Sequence, residues 1–445
     1  MRSFESIRLG VPEILLPLPG VDLVKWAVIA CDQYTSELQY WEKAAAFVGD
    51  APSTLNLIYP EAYLHEPDPA ARIGRIRAAM NDYLGRGLFQ PAEGLVYIER
   101  TTRGRTRRGI VACLDLEAYD FRRSATSLIR ASEGTILERI PPRVRIREGA
   151  PIELPHIMVL IDDPDDSVIG PLEKAKGRLE KLYDFDLMME SGHLAGYRVP
   201  GGEAEAGVVG ALGRLADPAA FASRYGLPAG TPVLLYAMGD GNHSLATAKT
   251  IWETTKEAAS NRKAVLTSPL RYALVELVNL HDRALVFESI HRVLFGLASG
   301  RDVIAEAGAY FQGAVKFEKS CCLRSMREMV DGQTGRPHKI GVIRESGSGV
   351  LEIGAAGSNL PVGTIQAFLD AFLKDKGARE IDYVHGSDSV AQLGAKAGNL
   401  GVYLPAMRKE DLFKTVILDG ALPRKTFSMG EAWEKRFYME ARRLG

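Results

Sequence analysis

The stretch Val233-Leu234-Leu235-Tyr236-Ala237-Met238-Gly239-Asp240-Gly241-Asn242-His243-Ser244-Leu245-Ala246-Thr247-Ala248-Lys249 decides the fold class. Its opening apolar run, residues 233–237, has the length of a short buried strand. Residues 245–259 read as a helix. Between them two glycines bracket Asp240, and His243 stands at the helix entry. A strand that feeds a helix through a glycine loop is the joint of an α/β chain. Backbone N–H groups at such a joint face whatever binds the loop, and the helix dipole adds about half a positive charge. A phosphate or carboxylate is favoured at Gly241, Asn242 and Ser244. Asp240 is left to hold a metal or a hydroxyl, and His243 to donate. An ordinary glycine-rich turn with a satisfied histidine fits the same residues equally well.

Composition bounds the rest. A chain of 445 residues is too long for one core and predicts two or three lobes. Texture places them at 1–95 (helical elements and turns), 96–290 (the core with the glycine loop) and 291–445 (an α/β lobe). The chain is 46% hydrophobic and 25% charged, with a formal net charge of -1, so no global field recruits nucleic acid or membrane. No apolar run approaches a membrane span, and Pro17 and Pro19 interrupt the only N-terminal candidate for a signal segment. Cys31, Cys113, Cys321 and Cys322 form no CxxC pair, which fits a reducing cytoplasm and disfavours a cysteine zinc site. Strands and helices mix without a regular βαβ rhythm. The expected class is therefore α/β (α+β) with a mixed sheet, not a doubly wound one.

A second constellation precedes the loop. Ser132-Glu133-Gly134-Thr135 sets a carboxylate among small hydroxyl residues beside a glycine, where a ligand can approach. Arg143, Arg145 and Arg147 follow in alternation, which at strand period shares one face and suits a polyanion; a charge-protected edge strand is the plainer alternative. The basic run 100–108 reads as a hairpin tip. Residues 162–166 read as an acidic proline turn, with magnesium binding as the sharper alternative. His156, before a buried strand, reads as a core histidine, and His281 and His291 as ordinary placements. No zinc-protease, nucleophile-elbow, Walker or Rossmann motif is present. Near the C-terminus, Lys425 and Thr426 are candidates for ligand contact. Ser428 reads as the cap of a helix over 431–443, with Glu431 as its capping-box partner. His385 lies in a comparable polar turn after a strand over 381–386.

With these residues in hand, the chain resembles the bacterial and archaeal domain-of-unknown-function 1015 family. The resemblance runs over essentially the whole chain and is carried by residues 131–143, 153–164, 238–249, 381–386 and 422–442. That family is similar, around an Asp-Gly-His-His-Arg loop, to the ParB/sulfiredoxin superfamily, which includes nucleotide-dependent free-serine kinases and CTP-binding partition proteins. The resemblance implies a ParB/sulfiredoxin-like core. Ser132-Glu133 matches a Thr-Glu pair whose glutamate is catalytic in the kinases, and Asp240, Gly241 and His243 match the phosphate-embracing loop. Asn242 stands where the first histidine would be and Ser244 where the arginine would be. Loss of that arginine removes a bidentate phosphate clamp, which Lys249 or the Arg143/Arg145/Arg147 row would have to replace.

The expected function is phosphoryl transfer between a nucleotide (ATP or ADP) and a small metabolite such as serine or phosphoserine, in either direction. Glu133 is the expected base, Asp240 the magnesium ligand, and Asp240, His243 and Glu133 are expected to converge. Lys425 and Thr426 are expected to reach the same pocket. A non-catalytic nucleotide-binding regulatory module is the alternative, favoured by the missing arginine. Binding of nucleic acid through residues 100–108 is a third reading, opposed by the net charge.

Overall fold

The structure is a computed structural model that describes residues 1–64, 66–354 and 357–445. The chain forms two compact units: Met1–Leu285 together with Gly430–Gly445, and Val286–Met429. The expected division near residue 290 falls close to the start of the second unit. Residues 1–95 lie in one unit with the core that follows, and the last segment of the chain belongs to that unit too.

The first unit is built on a mixed sheet. Its strands run in the order Glu180–Asp186, His193–Val199, Leu95–Thr102, Arg105–Asp115, Tyr272–Asn279, Met158–Ile161, Tyr236–Asp240, Ile129–Arg130 and Tyr119–Asp120. The first five are joined antiparallel. Met158–Ile161 runs parallel to Tyr272–Asn279, and Tyr236–Asp240 parallel to Ile129–Arg130. Alternation along the strands feeds two cores. Val96, Ile98, Val111, Cys113 and Leu274 face one, with Trp26, Trp41 and the helix Pro69–Gly85. Leu95, Tyr97, Ile110, Ala112, Leu114 and Val275 face the other, with Leu245, Ala248 and Trp252 of the helix Asn242–Ala258. A two-residue side-chain period on a sheet covered on both faces produces this split.

The second unit carries its own sheet in the order Val315–Lys319, Gly347–Ile353, His338–Arg344, Leu400–Tyr403, Phe287–Leu297 and Ala378–His385, antiparallel throughout. Phe427–Met429 adds to Phe287–Leu297. Met326, Val330, Ile343, Val350 and Val390 fill a core under it.

The structure corrects three expectations. Residues 140–147 form a helix, Ile140–Arg147, not a strand. Pro141 and Pro142 occupy its first turn, where a missing N–H costs nothing. A step of two residues then rotates a side chain by roughly 200°, so Arg145 turns away and is exposed, while Arg143 and Arg147, four residues apart, stay on one face, paired with Glu61 and Glu153. The expected helix over 431–443 is a single turn, Ala432–Glu434, followed by the strands Phe437–Tyr438 and Arg442–Arg443. Burial of Phe437, Tyr438 and Met439 and pairing with Val28–Ile29 and Ile152–Glu153 override the helix propensity of the polar residues. Ser428 accordingly lies in a strand opposite Glu288, and the capping box is Glu431 with Glu434. The short helix Gly170–Ala175 precedes the edge strand Glu180–Asp186.

Candidate functional site

The glycine loop is shorter than its sequence suggests. The strand continues to Asp240 and the helix begins at Asn242, so Gly241 alone makes the joint. Gly241 has φ 78°, a left-handed conformation, and a Cβ there would meet the Ile157 Cα at 3.0 Å. Both facts demand glycine. No side chain caps this helix. Its first intrahelical bond is Leu245 N–H to the Gly241 carbonyl, 3.0 Å, so the N–H groups of Asn242, His243 and Ser244 have no acceptor within the helix.

Sheet topology gathers three segments at this edge. Tyr236↔Ile129 and Ala237↔Arg130 are parallel pairs, so both strands end on the same side, one leading to Gly241 and the other to Ser132–Glu133. Met158 pairs with Asp240 antiparallel, which brings His156 to that side as well. Ligands in open sheets gather at the carboxyl ends of parallel strands. His243 Nε2 accepts a hydrogen bond from the Ile136 N–H at 3.2 Å, tying the helix start to the segment that holds Glu133 and Thr135. Ser132 Oγ, Thr135 Oγ1 and Asn242 Oδ1 are buried with no hydrogen-bond partner among the described residues. Buried polar atoms usually find a partner; of those that do not, these three lie in the two segments singled out from the sequence.

Charge is concentrated around His156. Its Nδ1 lies 2.7 Å from the Tyr438 hydroxyl, and its Nε2 lies 3.1 Å from Ser244 Oγ and 3.5 Å from Asp32. Burial opposes a charge on this ring, but Asp32, with Asp240 and Glu61 further off, outweighs it and raises the His156 pKa. Burial likewise opposes charge on Asp32, and the facing His156, with Gln33 and Lys435, brings its pKa below the ordinary carboxylate range. Glu61 is pushed up by burial despite its ion pair with Arg143. Lys435, buried on the C-terminal segment, sits 3.0 Å from Asp240. Sequence reasoning missed Asp32, Lys435 and Tyr438, and set His156 aside; only the fold brings them to residues 240–244.

The other expected residues are placed as follows. Lys249 donates to the Leu116 carbonyl at 2.9 Å and pairs with Glu253, two helical turns beyond Asn242. Asp240 accepts from the Gly241 N–H at 2.9 Å with one oxygen and holds Lys435 with the other. Both oxygens are therefore engaged, an arrangement that does not fit a ready magnesium ligand. Among the described residues no cluster of three or more histidine, cysteine or acidic side chains is placed to hold a metal ion. His385, Lys425 and Thr426 belong to the second unit; His385 pairs in register with Ile290, and Thr426 donates to the Pro423 carbonyl at 2.6 Å. The basic run 100–108 is a hairpin, as expected, but Arg100 and Arg107 are buried and donate to the carbonyls of Trp433 and Glu434, both at 2.9 Å. The acidic turn is spent on protein partners: Asp162 on His281, Asp163 on Ser167 and the Val168 N–H, Asp166 on Arg108.

The fold and this edge define a mixed α/β protein with an uncapped helix N-terminus set among buried charges. The chain belongs to the family described as "Protein of unknown function (DUF1015)", which matches residues 15–372. No curated protein matches the chain. Among solved structures it is similar to a free serine kinase mutant in complex with ADP, at 10% identity and TM-score 0.39, covering 75% of this chain and 92% of that one. A second mutant of a free serine kinase, in complex with AMP, is similar at 9% identity and TM-score 0.40, with the same coverage. A conserved hypothetical protein from Pyrococcus furiosus follows at 11% identity and TM-score 0.36, covering 72% and 90%.

Proposed function

We propose that the chain is a nucleotide-dependent phosphoryl-transfer enzyme acting on a small hydroxyl-bearing metabolite, serine and phosphoserine being the simplest of the class. The observation that carries this reading is the uncapped start of Asn242–Ala258, flanked by the buried, unpartnered Ser132, Thr135 and Asn242 side chains. Backbone N–H groups at a helix start, with the helix dipole behind them, favour a phosphate. Lys435 adds a buried cation beside it and takes over the charge of the arginine that Ser244 replaces. Transfer of a phosphoryl group needs mainly positioning and charge neutralisation. In this reading Glu133 accepts the proton of the attacking hydroxyl. His156, whose charged form Asp32 favours, holds Ser244 and the helix start in place. The nucleotide is ATP or ADP, and the reaction runs in either direction.

Magnesium accompanies nucleotide phosphates in most such enzymes. Asp240 already holds Lys435 and the Gly241 N–H, and no step is assigned to the metal. Among the described residues no helix is long and apolar enough to cross a membrane, and a cytoplasmic location is proposed with the function. A nucleotide-binding module without turnover is the second reading, favoured by Ser244 in place of arginine and by the closed Asp240–Lys435 pair. Incubating the protein with labelled ATP or ADP and a pool of small metabolites separates the two. Phosphate exchange supports the enzyme. Nucleotide binding without exchange supports the module, and no binding under any metal condition removes both.

A further inference from the structure

A cavity of about 130 Å³ lies behind His156 and Ser244, within the first unit. Its body is apolar, formed by Leu57, Ile58, Met80, Ile146, Ile152 and Ile157. One wall is charged: Glu61 with Arg143, Arg147 with Glu153, and His156 against Ser244. Charged groups are costly to bury unless paired, and the pairs here are complete except at one donor. Arg147 Nε is buried with no hydrogen-bond partner among the described residues. Ser244 is the link to the helix start, since it lies in the first turn of Asn242–Ala258 and lines the cavity.

We propose that this cavity is the acceptor subsite of the reaction inferred above, and that it takes a small hydroxy acid with an apolar body. The assignment as acceptor subsite rests on that reading; the ligand class rests on the cavity itself. An apolar cavity of ~150 Å³ holds benzene, so this one holds a branched alkyl group of about four carbons. Serine carries a single methylene beyond its α-carbon and leaves most of that volume unfilled. The carboxylate meets the free Arg147 donor, and the hydroxyl lies toward Ser244 and His156, on the side of the helix N-terminus where the phosphate is expected. Each buried methylene contributes about 0.8 kcal/mol, roughly a fourfold gain in affinity, so an isobutyl body binds far better than serine.

Calorimetry on the full chain tests this with three ligands: ADP, serine and hydroxyisocaproate (the hydroxy acid with the leucine side chain). Hydroxyisocaproate is expected to bind at least tenfold more tightly than serine. Ile146→Trp, which fills the cavity from the helix Ile140–Arg147, is expected to weaken hydroxyisocaproate at least tenfold while ADP affinity stays within twofold. Ala150→Leu is a milder filling at the same wall, and loses less should the tryptophan variant fail to fold. Serine binding as tightly as hydroxyisocaproate, or hydroxyisocaproate binding that neither variant changes, overturns the proposal. If hydroxyisocaproate binds as expected and ADP does not bind at all, the phosphoryl-transfer reading falls while the ligand class of the cavity stands. If ADP binds and hydroxyisocaproate does not, the cavity proposal alone falls.

Discussion

A single histidine sets the electrostatics of the candidate site. His156 has a raised pKa because Asp32 outweighs burial, and Asp32 has a lowered one for the converse reason. The linkage signs follow. A raised histidine contributes stability that is complete below its unfolded value, about 6.5, and is lost as pH rises through the higher folded value. A lowered aspartate contributes stability above its unfolded value, about 3.9, and loses it as pH falls through the lower folded value. The pair is therefore fully stabilising between those limits. Urea midpoints measured from pH 6 to 9 are expected to fall for the parent above about 6.5, and to fall less for His156→Gln. Equal slopes for the two proteins would remove the charged pair from the account. Glu133 makes a different prediction. If it is the base, Glu133→Gln keeps nucleotide affinity and loses about 10²–10⁴-fold in turnover, the usual contribution of general-base catalysis. Lys435→Met should do the opposite. It removes a charge-assisted contact of about 1.5–3 kcal/mol, so nucleotide affinity falls by roughly ten- to hundredfold. Calorimetry and phosphate exchange on both variants separate base from binder, and a Glu133→Gln protein with parental turnover denies the base role.

At the scale of elements, the legible parts of the chain were those whose pattern and burial agree. The run into Gly241, the helix after it and the hairpin around residues 100–108 follow from apolar periodicity and turn residues. The failures have two physical causes: a local helix start that was passed over, and tertiary pairing that outvotes local pattern. Arg143, Arg145 and Arg147 alternate like a strand, yet Pro141 and Pro142 open a helix that turns Arg145 away from the other two. The tail reads as a helix, yet it is held extended by partners far away in sequence. Arg436 bonds Glu276 at 2.7 Å, Glu440 at 2.6 Å and the Pro155 carbonyl at 3.0 Å; Arg442 bonds Glu153 at 2.6 Å. Glu276, Arg436 and Glu440 are almost wholly buried. The same tail delivers Lys435 and Tyr438, which explains why half of the charged site was invisible in the sequence. Arg436→Met is accordingly expected to leave the buried Glu440 without its cation and Glu276 with Arg107 alone, and to destabilise the first unit by about 3–5 kcal/mol. Arg443→Met, at an exposed position of the strand Arg442–Arg443, should change stability by less than about 0.5 kcal/mol. Denaturant midpoints of the two variants provide the comparison, and similar values for both would show that the buried network contributes little.

For the whole molecule, the order of the chain and the order of its folding units differ. The second unit, Val286–Met429, lies in sequence between two parts of the first, Met1–Leu285 and Gly430–Gly445. The sequence announced the change of texture near residue 290, but nothing local announces a return after Met429, because return is a property of pairing and not of composition. The tail closes the first unit through Phe437↔Ile29, Tyr438↔Val28, Ile152↔Arg443 and Glu153↔Arg442, and through the Trp26 indole, which donates to the Met439 carbonyl at 3.1 Å. A chain ending at Met429 therefore keeps every strand of the second unit and loses two strand pairs and a buried ionic network from the first. The second unit has its own antiparallel sheet and core, and a domain of this size with a complete core can fold alone. Two fragments test this. Residues 286–429 expressed alone are expected to unfold cooperatively, with protected amides along Phe287–Leu297 and His338–Arg344 in hydrogen exchange. Residues 1–429 are expected to protect the same strands while those of the first unit exchange as in an unfolded chain. Restoring residues 430–445 as a separate peptide should recover that protection, together with whatever nucleotide binding the full chain has, since Lys435 arrives with it. Full protection of the first unit without the tail would mean that these pairs contribute little to it, and that the site is the only reason for the chain to come back.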